Sequence, residues 1–121
     1  KGRCLSPLCI GRLLVDIALL RWHPPINRTM GGAMKIALAS DHAAYDLKQE
    51  LGAWLAQSGH DVMDLGPDSA DRVDYPDYGY KLAEAIATGA TDRGIALCGS
   101  GIGISIAMNR NPCVRCALVS E

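Results

Sequence analysis

The chain has 121 residues, of which 49% are hydrophobic and 21% are charged. This length suits one domain with one hydrophobic core and excludes a second full domain, and the composition excludes a disordered or fibrous protein. The net charge of −1 provides no overall positive field that could bind nucleic acid.

The charge changes sign at the short stretch Met30–Met34, which contains two glycines. Residues 1–33 carry five basic residues and one acidic residue, a charge of +4, whereas residues 34–121 carry seven basic and twelve acidic residues, a charge of −5. We interpret this stretch as the junction between an N-terminal extension, residues 1–33, and a domain that begins at residue 34.

The extension has one apolar run, at residues 13–20. The run is too short to cross a bilayer, which needs about 20 residues, and no small-residue cleavage site of a secretory signal follows it. We therefore expect a tail with no part in the chemistry and no membrane partner. The alternative is an amphipathic arm, because Leu13, Ile17 and Leu20 share one face of a helix.

Strand and helix patterns alternate from residue 34 onward. Apolar runs predict strands at 35–40, 60–65, 94–98 and 114–119. Helical spacing of apolar residues predicts a helix through Leu47 and Leu55 that ends at Gly59, and two more at 78–88 and 104–110. This alternation favours right-handed βαβ units, and so a Rossmann-like three-layer α/β/α fold with a parallel sheet, apparently truncated after its fourth strand.

Polar residues follow two strands that such a fold places side by side. In an open parallel sheet, ligands bind beyond the carboxyl ends of the strands, where the strand order reverses. With an order beginning 2-1-3-4, that point lies between the first strand, which ends at Asp41-His42, and the third, which ends at Cys98. Asp41 has an ordinary alternative role as the N-cap of the following helix.

Cys98 opens a loop with three glycines, Gly99-Ser100-Gly101-Ile102-Gly103. Glycines between a strand and a helix let backbone N–H groups approach an anion, and the helix N-terminus adds positive charge. A cysteine there is more readily available as a thiolate nucleophile or base. The plainer alternatives are a packing turn and a buried cysteine that ends a strand.

Other chemistry-bearing residues have plainer interpretations. The five cysteines form no disulfide-rich pattern, which favours a reducing, cytoplasmic location, and the CxxC pair Cys113 and Cys116 is interpreted as two thiols in or beside a strand. Tyr75 lies in a turn-like stretch. Four carboxylates between the second strand and the second helix are interpreted as a solvated rim, with no metal site: Asp61, Asp64, Asp68 and Asp71.

The segment 34–121 resembles the ribose-5-phosphate isomerase B / galactose-6-phosphate isomerase family. The motifs that carry the resemblance are ALASDHAAYDLK (37–48), DYPDY (74–78), CGSGIGISIAMNR (98–110) and VSE (119–121). They occur in the family's order and spacing, whereas residues 1–33 match nothing in it.

The resemblance implies aldose–ketose isomerisation of a sugar phosphate through an enediolate, most simply ribose 5-phosphate to ribulose 5-phosphate, with no metal or other cofactor. Cys98 would move the proton between C1 and C2, Ser100 would assist proton exchange between the oxygens, and backbone amides of the loop would hold the enediolate oxygen. The implied substrate-binding residues are Asp41, His42, Tyr75, Gly99, Gly101, Ile102, Gly103 and Asn109.

One departure from the family is visible. Family members continue beyond the VSE motif into a helix with a His-Asn motif, a further strand and a helix with phosphate-binding arginines, none of which this chain contains. We therefore expect an incomplete domain in a homodimer or higher homo-oligomer, because family sites are shared across a dimer interface. The alternatives are a phosphosugar- or nucleotide-binding module without catalysis, and an inactive truncated product.

Overall fold

The sheet is parallel throughout and has five strands in the part of the chain that the structure describes. The structure is a computed structural model that describes residues 8–11, as backbone, and 32–119. Its strands lie in the order β3-β2-β4-β1-β5. They are β1 (Leu8–Gly11), β2 (Lys35–Ser40), β3 (Asp61–Asp64), β4 (Arg93–Leu97) and β5 (Arg115–Leu118).

Among residues 32–119, three helices cover this sheet: α1 (Tyr45–Gln57), α2 (Tyr75–Ala87) and α3 (Ile102–Asn109). A single 3₁₀ turn, His42–Ala44, leads into α1. Helix α2 begins three residues earlier than predicted because Pro76 lies in its first turn, where a residue without an N–H is well tolerated. The Rossmann-like α/β fold is confirmed, as is the reversal of strand order between β2 and β4.

The core has two apolar layers, one on each face of the sheet. Helices α2 and α3 pack on the face that carries Ala37 and Ala39 of β2, and they bury Leu82, Ile104 and Met108 there. Helix α1 covers the other face, where Leu55 packs against Ile36 and Leu38. Alternate residues of β2 therefore point to opposite layers, as expected for a strand buried on both faces.

Strand β1 was not predicted. It belongs to the extension, yet it pairs in parallel with β4 on one side and with β5 on the other. The four residues are too few to show a period, and the basic charge around them favoured a tail. Residues 1–7 and 12–31, with the proposed helical face of Leu13, Ile17 and Leu20, lie outside the described residues, so the division of the chain at the junction stays a prediction.

The CxxC pair differs from its predicted interpretation as two thiols. Cys113 is disulfide-bonded, and the other half of its bond lies outside the residues whose side chains are described. Cys116 is a half-buried thiol in β5, in agreement with the prediction. The CxxC spacing bears only on whether Cys113 and Cys116 could bond to each other. It therefore could not predict a disulfide between Cys113 and a cysteine elsewhere in the chain.

Candidate active site

The carboxyl ends of β2 and β4 bring Asp41 and Cys98 to one edge of the sheet. Ser40 is the register partner of Leu97, so the two strands end side by side. The backbone continues the pairing by one step, since the Asp41 N–H donates to the Leu97 carbonyl at 3.0 Å. The predicted crevice at the switch point is therefore formed by the loops that follow these two strands.

Asp41 joins the two loops. Its carboxylate is 8% exposed, and Oδ1 accepts the N–H of Ala44 at 3.0 Å, which caps the 3₁₀ turn. Oδ2 accepts the N–H of Gly99 at 3.4 Å, in the loop after β4. The capping alternative and the site assignment are thus compatible, because one carboxylate caps its own turn and holds the glycine loop beside it.

The sulfur of Cys98 lies inside the turn of the glycine loop. The side chain is 5% exposed, and the Gly101 N–H donates to Sγ at 3.0 Å. Gly101 has φ of +76°, a left-handed conformation that side chains disfavour, and this conformation accompanies the N–H···S contact. The Gly101 N–H therefore points at the sulfur, which is the atom that acts as the base or nucleophile of a catalytic cysteine.

The rest of the loop leaves donors available. The exposed Ser100 accepts the N–H of Ile102 on Oγ at 3.3 Å, and the side chain of Ile102 is itself exposed. Within residues 32–119, the amides of Ser100 and Gly103 have no hydrogen-bond acceptor. Because Gly103 lies in the first turn of α3, an anion near these amides would also gain from the positive end of that helix.

Tyr75 is the first residue of α2, and its ring lies against the first turn of α3. A Cβ atom built on Gly103 would come within 2.6 Å of the ring carbon Cζ and 2.9 Å of the hydroxyl oxygen. The tyrosine can therefore occupy this position only because residue 103 has no side chain. Tyr75 is still 41% exposed, so it also borders solvent.

His42 is exposed and is held by a loop distant in sequence. Its Nδ1 lies 3.2 Å from the carbonyl oxygen of Val73 and 3.4 Å from the N–H of the same residue. Protonated at Nδ1, the ring donates to the carbonyl, and with the proton on Nε2 it accepts from the N–H. Either contact anchors one edge of the ring and leaves Nε2 on the other edge.

Asn109 does not join this group. Its Nδ2 donates to the carbonyls of Ser105 and Cys116, and its Oδ1 accepts the N–H of Cys116. The two bonds to Cys116 tie the last turn of α3 to β5, and the bond to Ser105 stays within the helix. Eight helical residues span about 12 Å, so Asn109 lies at the opposite end of α3 from the glycine loop. The carboxamide tethers helix to strand, a use that the motif CGSGIGISIAMNR did not reveal.

Three residues near the site have contacts that were not predicted. Lys48 has no exposed side-chain surface and donates from Nζ to both carboxylate oxygens of Asp64 at 2.6 Å. Asp64 is exposed, in agreement with the predicted solvated rim, but it is also the ion-pair partner of Lys48, which was not predicted. Tyr45 donates from its hydroxyl to the carbonyl of Asp68 at 3.2 Å. The three-residue spacing of His42, Tyr45 and Lys48 was the feature of the sequence that could have indicated that these side chains lie on one side of the helix.

A cavity of about 440 Å³ lies beside this group, lined by the end of the loop after β3 and by the first turns of α2. The lining residues are Val73, Asp74, Asp77, Tyr78, Tyr80 and Lys81. In residues 32–119, no three His, Cys, Asp or Glu side chains are grouped as metal ligands would be. No helix among the described residues is long and apolar enough to cross a membrane.

Together, the fold and this site define a Rossmann-like α/β protein with a buried cysteine and a glycine loop at the switch point of its sheet. The family model described as Ribose/Galactose Isomerase matches residues 36–121. Ribose-5-phosphate isomerase B of Escherichia coli (strain K12) is 45% identical over 87 residues, which are 72% of this chain and 58% of that protein. A putative sugar phosphate isomerase of Bacillus subtilis (strain 168) is 40% identical over 89 residues, 73% of this chain and 60% of its own length.

Solved structures agree. A ribose-5-phosphate isomerase B of Clostridium thermocellum superposes with a TM-score of 0.71 at 48% identity, covering 73% of this chain and 60% of that one. A Mycoplasma genitalium ribose-5-phosphate isomerase B with bound ribulose-5-phosphate gives a TM-score of 0.66 at 34% identity, covering 70% and 57%. The chain belongs to the ribose/galactose isomerase family. It spans about 60% of the length of these relatives.

Proposed function

We propose that this protein isomerises a sugar phosphate between its aldose and ketose forms, and that the substrate is ribose 5-phosphate. Family membership supports the reaction class, and a relative with ribulose-5-phosphate bound supports the pentose. The single observation that carries the proposal is the position of the Cys98 sulfur, which accepts a backbone N–H inside the glycine loop at the carboxyl end of β4.

In the proposed mechanism, the Cys98 thiolate removes the proton on C2 of the open-chain aldose. The C2–H electron pair forms the C1–C2 double bond of an enediolate, and the carbonyl electrons move onto O1. The same thiol then returns a proton to C1, while a proton passes from O2 to O1 with the help of the Ser100 hydroxyl. No redox cofactor is needed, because the oxidation of C2 balances the reduction of C1.

The charge that develops on the enediolate oxygen needs donors that are already in place. The amides of Ser100 and Gly103 and the N-terminus of α3 are the groups we assign to it. Ile102 and the two other loop glycines, Gly99 and Gly101, contribute the backbone of this cradle. Preorganised donors of this kind are often the largest single source of rate enhancement.

The sugar itself would lie against Asp41, His42 and Tyr75. Asp41 holds the two loops together, the free edge of His42 offers Nε2 to a sugar oxygen, and the ring of Tyr75 forms a wall. Asn109 has no part in this proposal because its carboxamide binds β5. A cytoplasmic location and a homo-oligomeric assembly remain predictions.

The test is incubation of the 121-residue chain with ribose 5-phosphate, allose 6-phosphate and galactose 6-phosphate, with ketose formation followed by NMR. We expect ketose from ribose 5-phosphate at the highest rate. Binding of all three without any ketose would contradict the proposal. It would instead support the alternative that the chain is a phosphosugar-binding module without catalysis, in which Cys98→Ala leaves binding intact.

A further inference from the structure

Three side chains of one helical face hold the loop between β3 and α2, which is residues 65–74. His42, Tyr45 and Lys48 follow each other at three-residue intervals through the 3₁₀ turn and the start of α1, so they lie on one side. Each contacts the loop at a different point. Lys48 contacts Pro67 and Tyr45 contacts Asp68, both near the start of the loop. His42 contacts Val73 near its end.

The Lys48 contact is the most buried of the three. Its ammonium has no exposed surface and donates to Asp64 at 2.6 Å and to the carbonyl of Pro67 at 2.8 Å. Asp64 also accepts the N–H of Gly66 at 2.8 Å on Oδ1, so its carboxylate closes the turn that starts the loop. A buried ammonium requires partners, and its hydrogen-bond acceptors here are both at the start of the loop, while the ring of Tyr45 lies 5.5 Å from Nζ.

The other end of the loop enters the site directly. Val73 contacts His42 Nδ1, and two residues later the chain reaches Tyr75, whose ring lies on Gly103. The loop therefore supplies the anchor of the imidazole and leads directly into Tyr75, yet it has no regular secondary structure of its own between residues 65 and 74. Its position depends on the side chains that tie it to α1.

We propose that Lys48 and Tyr45 are positioning residues: by fixing loop 65–74 to α1, they set the orientation of His42 and the place of Tyr75. Neither residue touches the reacting atoms in this account. The link to catalysis rests on the proposed function, whereas the link to His42 and Tyr75 rests on the contacts alone.

The test compares the full chain with Lys48→Met and Tyr45→Phe. Methionine keeps an unbranched apolar stem in the buried position, and Asp64, whose side chain is 44% exposed, can then take water. Phenylalanine removes only the hydroxyl that holds Asp68. Long-range ¹H–¹⁵N spectra of histidine-labelled protein report the protonation and hydrogen bonding of each ring nitrogen, and His42→Gln assigns the signal.

We expect both variants to move the His42 ring signals and to leave those of His60 in place. His60 is an internal control, because its Nδ1 accepts the N–H of Met34 at the opposite edge of the sheet. If the chain turns over ribose 5-phosphate, we expect the rise in KM to exceed the fall in kcat, because the displaced groups bind the sugar and do not touch the reacting atoms.

A folded Lys48→Met protein with unchanged His42 signals overturns the proposal. If Lys48→Met does not fold, Tyr45→Phe decides, and unchanged His42 signals in that variant also overturn it. Failure of the proposed function is separate: an inactive parent chain whose His42 signals respond to both substitutions contradicts the isomerase activity and supports the positioning role.

Discussion

Two glycines of the loop after β4 have different tasks, and this difference is visible only at the level of single residues. Gly101 adopts a left-handed conformation and directs its N–H to the Cys98 sulfur. Gly103 has an ordinary helical conformation, but it leaves the space in which the Tyr75 ring lies. The sequence predicted both glycines as part of one anion-binding loop. It could not separate them, because close approach depends on a helix that is distant in the chain.

We expect Gly103→Ala to weaken sugar-phosphate binding while leaving the fold intact. The new methyl group would displace the ring of Tyr75, which is half-exposed and can move, and alanine raises helix propensity by about 1 kcal/mol. Binding measured by titration calorimetry should weaken by roughly tenfold, about 1.4 kcal/mol.

The matched control for this variant is Gly52→Ala in the middle of α1, where the added Cβ meets only a Leu38 methyl at 3.3 Å. This substitution raises helix propensity by the same amount but lies far from the glycine loop. The affinity of Gly52→Ala for the sugar phosphate should therefore equal that of the parent chain. Unaltered affinity in Gly103→Ala would show that the position of Tyr75 does not matter for binding.

The positions of the residues that follow strand ends could be predicted from the sequence. The contacts of Asn109 and Lys48, which join one element to another, could not. Asp41, His42 and Cys98 follow strands whose apolar pattern is clear, and parallel topology brings such ends together. The bonds of Asn109 to the β5 backbone were not predicted, because a polar residue in a motif gives no sign of whether it faces a ligand or a neighbouring backbone. The burial of Lys48 was not predicted, because it arises from contacts with loop 65–74, which is distant in the sequence.

At the level of elements, the loop 65–74 and helix α1 form one unit joined by the Lys48–Asp64 ion pair. The lysine is fully buried while the aspartate is half-exposed, so removing the aspartate leaves a buried ammonium with one carbonyl partner. Loss of one partner of a buried pair is much more costly than loss of an exposed charge.

We therefore expect Asp64→Ala to lower the free energy of unfolding by about 3 kcal/mol in urea denaturation. Asp61→Ala is the control, because Asp61 is exposed in the same strand and should change stability by no more than about 0.5 kcal/mol. Equal effects of the two substitutions would mean that the Lys48–Asp64 pair contributes no more than a surface charge.

The types of the elements were predicted correctly, but one strand, β1, was not predicted. All three helices and the four strands after the junction have predicted counterparts, with ends shifted by a few residues where a proline or a short turn decides. Strand β1 could not be predicted because its place between β4 and β5 depends on long-range pairing and not on a local pattern.

Considered as a whole, the molecule has an apolar area at one side. Ile102 and Ile106 are more than half-exposed one turn apart on α3, and Leu118 is exposed on β5, which is an edge strand among the described residues. Exposed apolar side chains beside an open strand edge favour association. The candidate active site borders this area, since Ile102 belongs to the glycine loop.

We expect the chain to sediment as a dimer or larger species and not at the 12.9 kDa of one chain. Ile106→Glu should shift sedimentation toward the single chain, because it replaces one of the exposed apolar side chains by a charge. Trp54→Glu, at an equally exposed position on α1, should not. A parent chain that sediments as one stable monodisperse monomer would contradict this prediction.

The central claim, that Cys98 moves the proton of a sugar phosphate, is tested most directly by hydrogen exchange at C1 of ribulose 5-phosphate. This ketose stays open-chain, since its carbonyl is at C2 and its O5 is esterified, so no ring-opening group is required. In D₂O we expect the chain to exchange one C1 proton for deuterium, followed by ¹H NMR. Cys98→Ala should slow the exchange about 10²- to 10⁴-fold, whereas Cys116→Ala should not. Exchange in Cys98→Ala at the parent rate, or none in the parent, would contradict the claim.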